Sequence, residues 1–248
     1  MSYMFTVSPD FTPDHLSGWY IFNTWLQKQS NTAIHLEMYD SFQAQHDAIK
    51  YDKIDLIYAN PFDAAMLVRE KGFLPLVKAA GISDEAIIAV NINNSVEDVS
   101  QLGAGTRVAV TEDPDVTMMG MIMLEAGDLN ASNVHIDVHN TYVLVAKNLL
   151  QGKADVGIFL AEAFDGLSNL TKSQLRVLVR SQISVIHHAL MIGPQLVGRR
   201  AEIQNLLLSM NDDDKGREVL RNLGFNAWES VDDEAMEFMI DLMEALAT

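Results

Sequence analysis

In IDLIYANPFDAAML, residues 54–67, an apolar run passes directly into a helical pattern through Asn-Pro. Asn60 is a preferred helix N-cap. Pro61 is a preferred first helical residue, because it lacks an N–H that the helix start leaves unpaired anyway. A strand therefore ends and a helix begins within two residues, which is the junction of a βα unit. Such a start also gathers unpaired N–H groups and partial positive charge, so it can hold an anion without an arginine. Ordinary capping is the commoner use, and the stretch alone does not decide between the two.

The same rhythm extends in both directions. YMFTVSP (3–9) reads as a strand and PDHLSGWYIFNTWLQKQS (13–30) as a helix with an aromatic face. AIHLEMYD (33–40) follows as a strand, then a helix opened by Ser41, the strand KIDLIYA, and a helix over 61–71 closed by Gly72. A second run begins at DEAIIAV (84–90). It continues with a short helix at 96–102, the strand RVAV, a helix over 117–126, the strand VHIDVH, the helix TYVLVAKNLLQ capped by Gly152, and the strand ADVGIFL. VIHHALMIG (185–193) reads as a further strand, and helices over 199–210, 212–223 and 232–246 close the chain. Alternation of this kind predicts mostly parallel sheets covered by helices.

The two runs resemble each other. Residues 46–66 and 145–167 each proceed from helix through Lys-x-Asp and an apolar strand to Phe-Asp, so Lys53 and Asp55 recur as Lys153 and Asp155, and Phe62-Asp63 as Phe164-Asp165. A repeat at this spacing predicts two lobes of similar topology.

Composition narrows the function. With 17 Lys and Arg against 34 Asp and Glu, the net charge of −17 argues against nucleic acid and anionic membranes, while a local anion pocket stays compatible with it. The chain has no cysteine, which excludes disulfides, thiolate metal sites and cysteine nucleophiles. No stretch approaches the ~18 apolar residues of a membrane span. The opening residues carry no basic, apolar leader, so the chain as written reads as soluble and cytoplasmic; a chain whose leader had been removed would look the same. Nucleophile elbow, zinc-protease, phosphate-loop and dinucleotide motifs are all absent, so no catalytic residue, metal ligand or cofactor is expected. Neighbouring residues His187 and His188 on a strand would point to opposite faces and could not chelate together. Asp212-Asp213-Asp214 are expected to cap a helix.

Taken in order, these segments resemble the phosphate/phosphite/phosphonate-binding solute-binding proteins. KIDLIYANPFDAAML is similar to the family's first-lobe segment. VAVTEDPDVTMMGMIMLEAG matches its strand, Asp-Pro, hydroxyl-rich turn and helix, and VHNTYVLVAKNLLQGKADVGIF its histidine-bearing helix start and following strand. NDDDKGREVLRNLGFNAWESVDDEAMEFMIDLMEAL is similar to its closing segment. The resemblance implies a bilobal α/β fold of the type II periplasmic-binding-protein kind. Residues 1–87 and 187–248 would form one lobe and 88–186 the other, with crossings at AIIAV and SQISVIHH.

The resemblance also implies a monomer that closes over a small anion, phosphonate-like or an organic acid, and serves the membrane subunits of an import transporter. If a leader had been removed, the place of action would be the periplasm. Carried across by position, Tyr58, Asn60 and Pro61 would meet the ligand from the first lobe. Thr117 with Met118, Met119 and the backbone near Gly120 would meet it from the second, with His139 and Asn140. Two departures stand out: the hydroxyl-rich turn reads Thr117-Met118-Met119, and the position of a family acid falls on Leu160. Among the methionines, Met121 is expected in the core, and Met118 and Met119 at a pocket. The alternatives are an enzyme of the menaquinone-biosynthesis type on the same fold, or an intracellular ligand sensor.

Overall fold

The computed structural model describes residues 2–10 and 15–246. The elements are β1 (Tyr3–Val7), α1 (Leu16–Ser30), β2 (Ile34–Leu36), α2 (Phe42–Lys50), β3 (Leu56–Ala59), α3 (Pro61–Ala65) and β4 (Leu74–Ala79). Then come β5 (Ala86–Asn91), β6 (Arg107–Thr111), α4 (Pro114–Leu124), β7 (His135–His139), α5 (Tyr142–Leu150), β8 (Val156–Leu160), α6 (Ala161–Asp165), α7 (Asn169–Lys172) and β9 (Leu175–Arg180). The chain closes with β10 (Ala189–Ile192), α8 (Arg200–Leu208), α9 (Asp214–Leu223), β11 (Trp228–Ser230) and α10 (Asp233–Leu246). No helix among the described residues is long and apolar enough to cross a membrane.

The chain divides into two units: residues up to Ile82 with His187–Leu242, and Ser83–Ile186 with the chain from Met243. The first sheet has the order β11-β4-β10-β3-β1-β2 and the second β7-β6-β8-β5-β9. In each, two parallel pairings are followed by an antiparallel return: β2-β1-β3-β10 in one and β7-β6-β8-β5 in the other. The repeat read from the sequence is thus a repeat of topology.

Its Lys-x-Asp element has a physical role. The Asp55 N–H donates to the Met4 carbonyl at 2.8 Å, and the Asp55 carboxylate accepts the Met4 N–H at 2.8 Å. Asp155 does the same with Arg107, at 2.9 Å in both directions, and its carboxylate also takes the Arg107 guanidinium at 2.7 Å. The Phe-Asp element does not repeat in structure. Phe62 is exposed and Asp63 buried, whereas Phe164 is buried and Asp165 is exposed and paired with Arg180.

Both faces of β3 are covered, which explains its unbroken apolar run. Leu56 and Tyr58 pack with Trp19, Phe22 and Trp228 on one side; Ile57 and Ala59 pack with Leu67, Met236 and Ile240 on the other. The aromatic face expected for the first helix is the buried stripe Trp19, Phe22, Trp25 of α1, while the expected helix start at Pro13-Asp14 lies outside the described residues. Gly18 lets α1 meet α9: a Cβ there would stand 2.2 Å from the Asn222 carbonyl oxygen. Capping follows expectation at Ser41 and at Asp213, which accepts from the Lys215 and Gly216 N–H groups at 2.8 and 3.0 Å.

Other expectations need correction. β4, β9 and β11 are strands that alternation did not mark. The expected helix at 96–102 is a single 3-10 turn, Val99–Gln101. AIIAV is not a passage between units but β5, paired with β8 and β9 inside the second sheet. His187 and His188 precede β10 rather than lying in it. The chain passes between units just before β5 and just after Ile186, and the flanking stretches are tied together within the second unit. Asp84 N–H donates to the Ile186 carbonyl at 2.8 Å, Ser181 N–H to the Ala86 carbonyl at 2.9 Å, and Ala86 N–H to the Ser181 hydroxyl at 2.8 Å.

Glu85 completes this staple. Its carboxylate accepts the Ile183 and Ser184 N–H groups at 3.0 and 2.7 Å and also the Ser181 hydroxyl. Ser184 is held at φ 62°, in the left-handed region that few residues adopt unaided. Burial alone raises the Glu85 pKa, but the hydrogen bonds from Ser181, Ile183, Ser184 and Ser83 outweigh it and hold the group below its ordinary value. A depressed folded-state pKa adds stability above the unfolded value and loses it as pH falls through the folded one. Glu85→Gln is therefore expected to lower stability by about 1 kcal/mol at neutral pH, with the deficit vanishing below about pH 4. Urea denaturation of both proteins across pH checks this; a pH-independent difference contradicts it.

Candidate functional site

Open α/β sheets bind ligands at the carboxyl ends of their parallel strands. In the first unit these ends are Ser8 to Asp10 after β1 and Tyr58 to Pro61 at β3, with the start of β10 beside them. The Ser8 N–H donates to the Tyr58 carbonyl at 2.9 Å. Asn60 is fully buried and spends both ends of its side chain internally: Oδ1 accepts the Asp63 N–H at 2.8 Å and Nδ2 donates to the Ser8 hydroxyl at 3.0 Å. The helix it starts runs from Pro61 and continues without a break through a π turn, Met66–Glu70, to the left-handed Gly72. Proline brings no N–H and that of Asp63 is taken by Asn60, so this opening offers fewer donors than its sequence suggests.

Tyr58 is almost buried, its ring 4.8 Å from Trp19 and 5.3 Å from His188 by centroids. His188 lies over Tyr58 at 24°, and its Nε2 is 2.9 Å from an Asp10 carboxylate oxygen. Antiparallel pairing of Ala189 with Ala59 brings His188 to the end of β3. Asp10 and His188 are strand-end groups that the sequence reading missed. The histidine pair was the only available signal, and its placement depends on which strand β10 joins. His187 turns elsewhere, its Nδ1 3.1 Å from the His188 carbonyl oxygen.

In the second unit the corresponding ends are Thr111, His139 and Leu160. The helix after β6 starts at Pro114, one turn before the expected 117, because Asp113 is its N-cap and accepts the Val116 N–H at 3.4 Å. Thr117 therefore lies inside α4: its N–H donates to the Asp113 carbonyl and its hydroxyl to the Thr111 carbonyl at 3.4 Å. Thr111 is paired with His139 across β6 and β7, so Thr117 and His139 are joined through it.

His139 is 15% exposed, with Nε2 3.3 Å from an Asp137 oxygen, and Asn140 is exposed. Gly120 is a packing glycine rather than a backbone donor at a turn, since a Cβ there would fall 2.3 Å from Ile158 Cγ2. The core methionine of this helix is Met119, at 1% exposure, while Met118 and Met121 are half-buried; the earlier start of α4 rotates the face that meets the sheet. Tyr142 donates to the Asp113 carboxylate at 2.7 Å, and burial first, then the Asp113 charge, pushes its phenol well above the ordinary value. Leu160 holds the N-cap position of α6 without a side-chain bond, where the first unit has Asn60.

Two sheets of equivalent order, each with helix starts and polar groups at its parallel strand ends, define a protein of the periplasmic-binding-protein class. The chain belongs to the phosphonate ABC transporter periplasmic substrate-binding protein family, whose model matches residues 5–236. Among solved structures, PhnD1 from Prochlorococcus marinus in complex with methylphosphonate is similar at TM-score 0.83 and 12% identity, covering 99% of this chain and 98% of that one. A binding-protein component of an ABC phosphonate transporter from Pseudomonas aeruginosa is similar at TM-score 0.79 and 15% identity, covering 99% and 87%. The aliphatic sulphonate binding protein SsuA from Escherichia coli is similar at TM-score 0.67 and 13% identity, covering 98% and 87%. A search of curated proteins finds no match to the sequence.

Because Asn60 is both cap and brace, Asn60→Ala is expected to cost about 0.5–2 kcal/mol of global stability. Asn60→Asp, which keeps the cap acceptor but loses the donation to Ser8, should cost less. Chemical denaturation of the two variants checks the order, and equal stability of wild type and Asn60→Ala would show that the cap is not needed.

Proposed function

We propose that this chain is the substrate-binding component of an import transporter that acts in the periplasm as a monomer. Its ligand is a small molecule with an oxyanionic head and an apolar part. The observation that carries this reading is the family match, which spans both repeated units. The groups offered to a ligand are the α3 start and Tyr58 in the first unit, and Thr117, His139 and Asn140 in the second.

The chemistry of the second surface argues for the apolar part. Met118 and Leu160 stand where hydroxyl and acidic groups would otherwise meet a polar substrate, and Glu112, Asp113 and Asp115 add negative charge at the α4 start. A doubly charged, compact anion meets more repulsion there than a singly charged one bearing an alkyl chain. The reading is one of binding without turnover.

Calorimetry with inorganic phosphate, methylphosphonate and 1-butanesulfonate tests the order of preference, with butanesulfonate expected to bind best. Thr117→Ala and His139→Ala should each weaken its binding by about 1–3 kcal/mol. Unfolding midpoints should move less, because neither side chain lies in an apolar cluster. The ligand should be recovered unchanged after prolonged incubation. Tight phosphate binding that both alanine variants leave intact would place the site elsewhere.

A further inference from the structure

The first turn of α3 holds a charge pair that capping does not require. Asp63, its third residue, gives its N–H to Asn60, and its carboxylate Oδ1 meets His46 Nε2 of α2. Asp63 is 1% exposed, and its other oxygen, Oδ2, is buried without a hydrogen-bond partner. A buried carboxylate with an unmatched oxygen is costly unless a positive charge stands close. His46 can supply that charge. It is about one-third exposed, and its ring stacks on Phe62 with centroids 6.4 Å apart and planes at 12°. The charged groups that bear on it are Asp63 from α3 and Asp47 on its own helix. The Asp63 hydrogen bond raises the imidazole's pKa above its ordinary value, burial opposes it, and the charges of Asp63 and Asp47 add to the rise.

We propose that His46 controls anion capture at the α3 start. As an imidazolium it cancels the Asp63 charge; as a neutral imidazole it leaves a bare carboxylate in the same helical turn that meets the ligand. This inference rests on the binding role given above to Asn60-Pro61 and adds a regulation to it. As pH rises through the His46 pKa, the net charge of the pair changes from zero to minus one, and affinity for an anion falls. The ligand's own titration must be kept out of the measurement. A sulfonate keeps one charge throughout this range, whereas a phosphonate does not.

The experiment is calorimetric titration of the full chain with 1-butanesulfonate between about pH 5.5 and about pH 8.5. Wild type is expected to bind about two- to tenfold more weakly at the upper end. His46→Gln should bind with a smaller pH slope than wild type, near the wild-type affinity at high pH, and any slope left should go with His139→Gln in the same chain. Asp63→Asn should reduce the slope to the same extent, but with an affinity nearer that of wild type at low pH. In the ligand-free protein, NMR titration should place the His46 imidazole above the ordinary histidine value of about 6.5, and Asp63→Asn should bring it down. Binding with a flat profile in wild type, a slope that His46→Gln leaves undiminished, or a His46 pKa at or below the ordinary value overturns the proposal alone. Absence of sulfonate and phosphonate binding at every pH overturns the binding reading as well.

Discussion

In each sheet an aspartate sits just before one strand and grips its parallel neighbour: Asp55 before β3 holds β1, and Asp155 before β8 holds β6. A parallel pair leaves its outermost N–H and C=O groups facing nothing. The two-point contact of Asp55 with Met4, and of Asp155 with Arg107, satisfies them and adds a charge-assisted bond. With that end pinned, the opposite ends of the strands are level. Ser8, Tyr58 and Asn60 then gather in one unit, and Thr111, His139 and Leu160 in the other. The level of the carboxyl ends is therefore set at the far end of the strands, by Asp55 and Asp155.

From this common frame the two units diverge in chemistry. The first caps its helix with Asn60 and carries a histidine–carboxylate pair in the next turn; the second leaves the equivalent helix of Leu160 uncapped. The first packs Tyr58 against Trp19 and stacks it with His188, whereas the second buries Asp113 against Tyr142. Membership of the phosphonate ABC transporter substrate-binding protein family accounts for the frame, and these differences are particular to this chain's two units. A net charge of −17 says little about the answer, because screened charges spread over the surface act weakly beside groups within hydrogen-bond reach.

Several features of the site were legible because they rest on local chemistry. A cap needs a short polar side chain, a helix start tolerates proline, and a left-handed helix end favours glycine. Asn60, Pro61, Ser41, Asp213, Gly72 and Gly152 could therefore be read in place. The Lys-x-Asp repeat was visible for the same reason: one backbone clamp needs one residue type at one spacing, and it occurs twice.

What the sequence by itself determined was the alternation of strands and helices, the doubling of the unit, and the caps that open its helices. Only the tertiary structure decided how those polar groups are spent. Asn60 turned inward because Ser8 of another strand lies within its reach. His188 and Asp10 came together because β10 returns antiparallel beside β3. Thr117 moved into the helix because Asp113 captured its start one turn earlier. A side chain's type is local information. Its partner is set by which strand lies next to it, and strand order is a property of the whole sheet.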